Sequence, residues 1–162
     1  MSPEKSSLVE EISEMLMDYD LFSNFSPTEV QLVARYFNIS RIKEDEVIFN
    51  EGDAGTFMCI VSSGDVSILK TNLDEEVIEI ATLHKGRAFG EMAVLDGERR
   101  SAMCVAATNC TLLTLSKDSL DKMLAEVPKA AAKMIRAVAV SLSKRLRMAD
   151  GKLVDRRYNC AY

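Results

Sequence analysis

The sequence predicts a mainly β fold with flanking helices: a double-stranded, jelly-roll-like β-roll with helices before it and a long helix after it. Three observations predict this class. From Ile39 to Leu115, short β-rich runs recur between Gly, Asn and Asp turn signals, a spacing that argues for a sandwich or roll rather than a parallel sheet. Ahead of them lie two short amphipathic segments with helix signals. Behind them, a helical period starts at Pro128 and runs for about twenty residues.

Ser6 to Tyr19 reads as an amphipathic helix with Leu8, Ile12, Met15 and Leu16 on one face. Asp20 to Phe25 breaks it. Ser26-Pro27-Thr28-Glu29 then starts a second helix: a Ser cap, Pro in the first turn and Glu three residues after the cap. That helix carries Val30, Leu32, Val33 and Tyr36 and stops near Asn38. Val47-Ile48-Phe49 is a β-rich run ended by Glu51-Gly52-Asp53. Phe57 to Val61 is the next, and Gly64, at a position that calls for positive φ, turns the chain into Val66, Ile68 and Lys70. Asn72 to Glu76 forms a polar hairpin loop before Val77, Ile78, Ile80 and Leu83. Ser101 to Ala106 and Thr111 to Leu115 complete the strands.

Ser116 or Asp118 caps a helix through Val127. Pro128 starts the longest helix, Lys129 to about Asp150. On it, Ile135, Ala139, Leu142, Leu146, Ala149 and Leu153 alternate spacings of four and three, a seam of nearly three heptads. Met134, Val138 and Ser141 form an adjoining face that can pack on the roll. The seam either packs on this same domain or pairs with a second copy. The organisation expected is thus a helical segment at 1–38, the roll at 39–116, helices at 117–150 and a polar tail at 151–162, in one domain.

With 48% apolar and 28% charged residues, the 162-residue chain has the composition of an ordinary globular protein. Its net charge of −5 argues against general nucleic-acid binding. The charge is uneven. EEISEMLMDYD and KEDE make the first third acidic, and KRLR and DRR make the last third basic; solvated faces, a partner contact or packing near an anion would each account for it. Cys59, Cys104, Cys110 and Cys160 contain no C-x-x-C pair, and His84 is the single histidine, so no metal site is expected. Cys59, Cys104 and Cys110 lie in or beside apolar runs and read as buried free thiols. No export signal or transmembrane-length apolar run is found, and a cytoplasmic location is expected. The tail after Gly151 is too short for a helix-turn-helix, so direct DNA binding is not expected.

The stretch Gly86 to Ala102, GRAFGEMAVLDGERRSA, carries the chemistry. Gly86 and Gly90 allow a tight backbone path. Glu91 to Leu95 suits a short helix whose free N–H groups make an anion site. Arg100, nine residues after Glu91, offers a planar fork of donors for phosphate oxygens. Glu91 repels a phosphate, but it accepts hydrogen bonds from hydroxyls such as those of a ribose. An acid for a hydroxyl, an arginine for a phosphate and amides between them describe a nucleotide pocket.

These residues resemble the phosphate-binding cassette of the cyclic nucleotide-binding domain family. Gly86, Phe89, Gly90, Glu91 and Ala93 match its G-x-x-F-G-E-x-A pattern, and Arg100, Ser101 and Ala102 match its R-[AST]-A. The EGDAGTFMCIVSSGDVSI segment and the helix pair ahead of it are also similar, so the resemblance runs from Leu21 to about Lys152. It implies that Glu91 accepts the ribose 2′-hydroxyl, that Arg100 binds the cyclic phosphate, and that Ser101 and backbone amides of the Gly90, Met92, Ala93 and Ala102 region line the ligand. Many members have proline where this chain has Arg99. The turn is then less pre-set, and Arg99 can exchange with Arg100 as phosphate ligand. GERRSA looks more like the bacterial catabolite-activator branch. The resemblance further implies a homodimer through the C-terminal helix, which would close over the base with Arg145, Met148 and Asp150 nearest to it.

The function expected is a regulatory sensor that binds cAMP, with cGMP the alternative, performs no catalysis, needs no cofactor, repositions its C-terminal helix and acts on a protein effector in trans. Ser101 can touch a phosphate oxygen or the 2-amino group of a syn guanine, and Asp150 can accept from either base. An interaction module with a vestigial pocket is the second reading. A cupin-type enzyme or haem sensor fails for want of ligands beyond His84.

Overall fold

The computed structural model describes residues 3–159. Its elements are α1 (Pro3–Met17), a 3-10 turn (Asp20–Phe22), α2 (Pro27–Ala34), β1 (Asn38–Ile42), β2 (Val47–Phe49), β3 (Phe57–Ser63), β4 (Val66–Thr71), β5 (Val77–Leu83), β6 (Ala88–Phe89), α3 (Glu91–Asp96), β7 (Met103–Ala106), β8 (Cys110–Ser116), α4 (Lys117–Glu126) and α5 (Pro128–Asn159). The strands form two four-stranded antiparallel sheets, ordered β1-β8-β3-β6 and β2-β7-β4-β5. This is the double-stranded roll with flanking helices that the strand spacing predicts.

The first sheet is buried on both faces, which explains why its central strands read as continuous apolar runs. Successive side chains of a strand point to opposite faces. Cys59 and Val61 of β3, with Cys110 and Leu112 of β8, therefore turn into the roll, where they meet Phe49, Val66, Phe89 and Cys104. Met58, Ile60, Leu113 and Leu115 turn outward against Ile12 and Leu16 of α1, Val30 and Val33 of α2, Met123 of α4 and Met134 and Val138 of α5. Two cores share one sheet. At the turn between β3 and β4, Gly64 adopts φ +80°, and a Cβ there would meet the Asn109 carbonyl oxygen at 2.3 Å. Both the conformation and the space exclude a side chain.

The helix starts form as their sequences predict. Ser26 accepts from the Glu29 amide at 3.3 Å and the Glu29 carboxylate accepts from the Ser26 amide at 2.8 Å, a reciprocal capping box. Ser116, not Asp118, caps α4 by accepting from the Ser119 amide. The helix boundaries differ at three places. The first helix ends at Met17, and Leu8 is exposed rather than part of the buried face. The second ends at Ala34, because Asn38 already pairs with Thr114 at the start of β1. The last does not stop near Asp150. It continues through Gly151 to Asn159, so what was expected as a polar tail from 151 is helical up to Asn159, and the rest of that tail, 160–162, lies outside the described residues. Gly151 costs a helix about 1 kcal/mol relative to Ala, and good helix formers on both sides carry the chain through it.

On α5, Met134 and Val138 are buried and Ser141 half-buried, as expected of the face against the body. Of the seam, Ile135 and Leu142 are half-buried against the helical core, whereas Ala139, Leu146, Ala149 and Leu153 are exposed. Lys133 Nζ donates to Glu29 at 2.7 Å and so ties α5 to the start of α2. Cys59, Cys104 and Cys110 are free and buried. Among the described residues no helix is long and apolar enough to cross a membrane, and no cluster of metal-ligating side chains occurs.

Candidate functional site

The turn between β6 and β7 builds the site. Gly90 stands immediately before α3 with φ +73°, and a Cβ there would meet Arg100 Nη1 at 2.7 Å and the Phe49 ring at 3.2 Å. Only glycine satisfies both constraints. The chain can then swing from β6 into α3 and place Glu91, the first residue of that helix, beneath the body. Glu91 is 1% exposed. No side chain caps α3, so its first-turn amides have no side-chain partner.

Arg100 reaches the same place from the other end of the turn and is 3% exposed. Its Nη1 donates to the Gly90 carbonyl at 2.7 Å and its Nη2 to the Phe57 carbonyl at 2.5 Å. The guanidinium carbon lies 3.9 Å from the Phe49 ring centroid and 4.8 Å from that of Phe57. These contacts lock the side chain and add cation–π attraction. None of them neutralises it: among the described residues no carboxylate pairs with Arg100, and its Nε has no hydrogen-bond partner. Burial pulls its pKa below the usual arginine value. An isolated buried charge is costly, and an anion bound beside Arg100 would relieve that cost.

Arg145 reaches the site from α5. Its Nη2 stands against Glu91 Oε1 as an ion pair without hydrogen-bond geometry, and both Glu91 Oε1 and Arg145 Nε are buried without a hydrogen-bond partner among the described residues. Burial and, after it, the nearby charge of Arg87 both lower the Arg145 pKa.

Gly90, Glu91, Met92, Ala93, Arg100, Ser101, Ala102 and Arg145 line one cavity of about 100 Å³. All were singled out in the sequence. Three others are placed elsewhere. Arg99 is exposed and donates from Nη1 to the Gly52 carbonyl at 2.9 Å; it is outside the cavity wall, which separates it from Arg100. Met148 and Asp150 are exposed on α5 and do not line the cavity. The remaining wall, Phe49, Ile68, Phe89 and Cys104, comes from the roll interior. Sequence reasoning quoted Phe89 in the motif but assigned none of these to the site. Pairing of β7 with both β2 and β4 assembles Phe49, Cys104 and Ile68, and no local spacing signals that pairing. Burial raises the Cys104 thiol of the wall, and that of Cys59 in the roll interior, to about 12, which leaves both unreactive. A cleft of about 250 Å³ beside α1 is lined by Glu11, Glu14, Asp18 and Lys85, an excess of carboxylates that repels a phosphate.

Known proteins resemble the chain in sequence and in fold. The family model described as "Cyclic nucleotide-binding domain" matches residues 39–127, more than half of the chain. The chain is 35% identical over 133 residues to the Cyclic AMP receptor protein of Thermus thermophilus, a match covering 82% of this chain and 60% of that protein. It is 28% identical over 109 residues to a cAMP-dependent protein kinase regulatory subunit of Blastocladiella emersonii, covering 67% of this chain and 27% of the subunit. A solved cyclic nucleotide-binding domain from Methylobacillus flagellatus superposes with a TM-score of 0.82 at 30% identity, covering 93% of this chain and 84% of that one. The chain belongs to the family of cyclic nucleotide-binding domains. It spans 60% or less of the two curated relatives named above.

Proposed function

We propose that this chain is a sensor module that binds a cyclic nucleoside monophosphate, cAMP in preference to cGMP, and performs no chemistry on it. The observation that carries the reading is the cavity's pair of buried opposite charges: Arg100, with no carboxylate partner among the described residues, and Glu91. Arg100 Nε, Ser101 and the uncapped first turn of α3 offer donors to a cyclic phosphate, and Glu91 offers an acceptor to the ribose 2′-hydroxyl. The exposure of Arg99 favours Arg100 as the phosphate ligand. The preference for cAMP draws on the ligand named for the Thermus and Blastocladiella relatives.

Arg145 makes α5 the moving part. A ligand shifts a two-state equilibrium only by its differential affinity, and a swing from 1:99 to 99:1 needs about 5.5 kcal/mol. The exposed apolar residues Leu146, Met148 and Leu153 suit pairing with a second copy through α5. The output would pass to a protein effector in trans. A second reading, an interaction module that binds no nucleotide, draws on one observation: Glu91 already holds Arg145. Calorimetric titration with cAMP, cGMP and 5′-AMP separates the two. Saturable cAMP binding with weaker cGMP and no 5′-AMP binding is expected; silence with all three would leave only the interaction module.

A further inference from the structure

We propose that the cleft beside α1 is a second ligand site, one that takes a linear aliphatic polyamine. It shares no lining residue with the cavity at Arg100 and does not rest on the nucleotide reading.

The cleft holds about 250 Å³ between the second half of α1, the end of β3 at Ser62 and the turn before β6 at Lys85. Glu11, Glu14 and Asp18, three and four residues apart, line one side of it where α1 ends. Lys85 is the one cation in its lining. It stands 4.0 Å from Asp18 with both side chains exposed, so the pair contributes little. Glu11 and Glu14 have no ion-pair partner among the described residues. The last turn of α1 carries no basic residue, although the partial negative charge of a helix C-terminus favours a cation there.

An acidic face alone would be a solvated surface, and Tyr19 makes the difference. Its side chain is 3% exposed, and its hydroxyl is buried without a hydrogen-bond partner among the described residues. Burial pushes the phenol's pKa up, the neighbouring Ser62 hydroxyl pulls it down by less, and the Asp18 charge adds to the rise. The oxygen therefore lies among the cleft's own polar groups. Ser62 itself donates to the Met15 sulfur at 3.4 Å, a weak acceptor. A buried hydroxyl left unpaired is costly, and a donor entering the cleft would satisfy it. Carboxylates and a neutral phenol oxygen all accept from an ammonium, which brings three donors and no acceptor. No group of His, Cys, Asp and Glu among the described residues is placed to hold a metal ion. From residue 11 to residue 18 the acidic face extends about 10 Å at the helical rise, which suits several ammonium groups on one chain. Met15 and the Tyr19 ring offer apolar surface to the methylenes between them.

The test titrates spermidine into the full chain by calorimetry, with butylamine as a single-charge probe and magnesium as a control for screening. Saturable spermidine binding, much weaker butylamine binding and no equivalent effect of magnesium are expected. Tyr19→Phe removes only the hydroxyl and should weaken spermidine about fivefold, the loss of one buried hydrogen bond. Glu11→Gln combined with Glu14→Gln should weaken it about tenfold. Lys85→Gln should tighten it, because a competing cation leaves Asp18. Absence of saturable spermidine binding, or heats that magnesium reproduces, overturns the site. Wild-type affinity in the double glutamine variant overturns the acidic face as its binding surface. Wild-type affinity in Tyr19→Phe overturns the built site and leaves only diffuse attraction. Should Tyr19→Phe fail to fold in a thermal melt, the variants at Glu11, Glu14 and Lys85, all exposed, still decide.

Discussion

Arg100 and Gly90 are coupled at the residue scale. The Arg100 guanidinium is held by the Gly90 and Phe57 carbonyls and by two aromatic rings, and Gly90 leaves room for it only because it lacks a Cβ. Gly90→Ala should therefore act twice: strain at φ +73° destabilises the fold by about 1–3 kcal/mol, and the displaced guanidinium weakens nucleotide binding. Denaturant melts and a cAMP titration of the folded variant check both; a variant with normal stability and normal affinity would contradict the role given to Gly90. Glu91 and Arg100 were legible in the sequence because their chemistry depends on residue type and local spacing within one turn. The choice between Arg99 and Arg100 was not. Adjacent side chains diverge, and only the bridge of Arg99 to Ala54 and its bond to Gly52 show which arginine faces away.

Among the elements, the helix ends that depend on local capping read well, as Ser26, Glu29 and Ser116 show. Those that depend on what the chain must do next read less well: α2 yields to β1 by Asn38, and α5 runs on past Gly151. Glu29 has a double role, closing the capping box and pairing with Lys133 of α5. The Lys133 hydrogen bond, then the Ser26 amide, holds its pKa below the ordinary value of 4.5. A carboxyl with a depressed folded pKa contributes stability that is complete above its unfolded pKa and is lost as pH falls through the folded one. Below pH 4.5 this contact should fade. Glu29→Gln should lower stability at pH 7 and show a shallower loss between pH 5 and about pH 3 than the wild type, followed by urea melts across that range. Parallel acid limbs would assign the acid sensitivity to other carboxylates.

At the scale of the whole molecule, one sheet divides two cores, the roll interior and the helical layer, and the site sits where they meet. The roll supplies Phe49, Ile68 and Cys104 to the cavity, and the helical layer supplies Arg145. The strand spacing made the roll legible. The reach of Arg145 was legible only as a neighbourhood, named together with Met148 and Asp150, because the register of a long helix over a roll is set by tertiary packing. The distal half of α5 presents Leu146 at 64% exposure and Met148 at 56%. If α5 pairs with a second copy, sedimentation should show a wild-type dimer, and Leu146→Glu should shift it to monomer with the fold intact; a monomeric wild type at high concentration would contradict the pairing.

The central claim is that the buried, uncompensated charge of Arg100 exists to hold a cyclic phosphate. Calorimetric titration of cAMP into the wild type, Arg100→Ala and Arg99→Ala tests it most directly. The account predicts that Arg100→Ala loses about 2–5 kcal/mol of binding, by analogy with truncation of one partner of a buried charge pair, while Arg99→Ala binds like the wild type. Undiminished binding by Arg100→Ala, or the loss falling on Arg99→Ala instead, would contradict it.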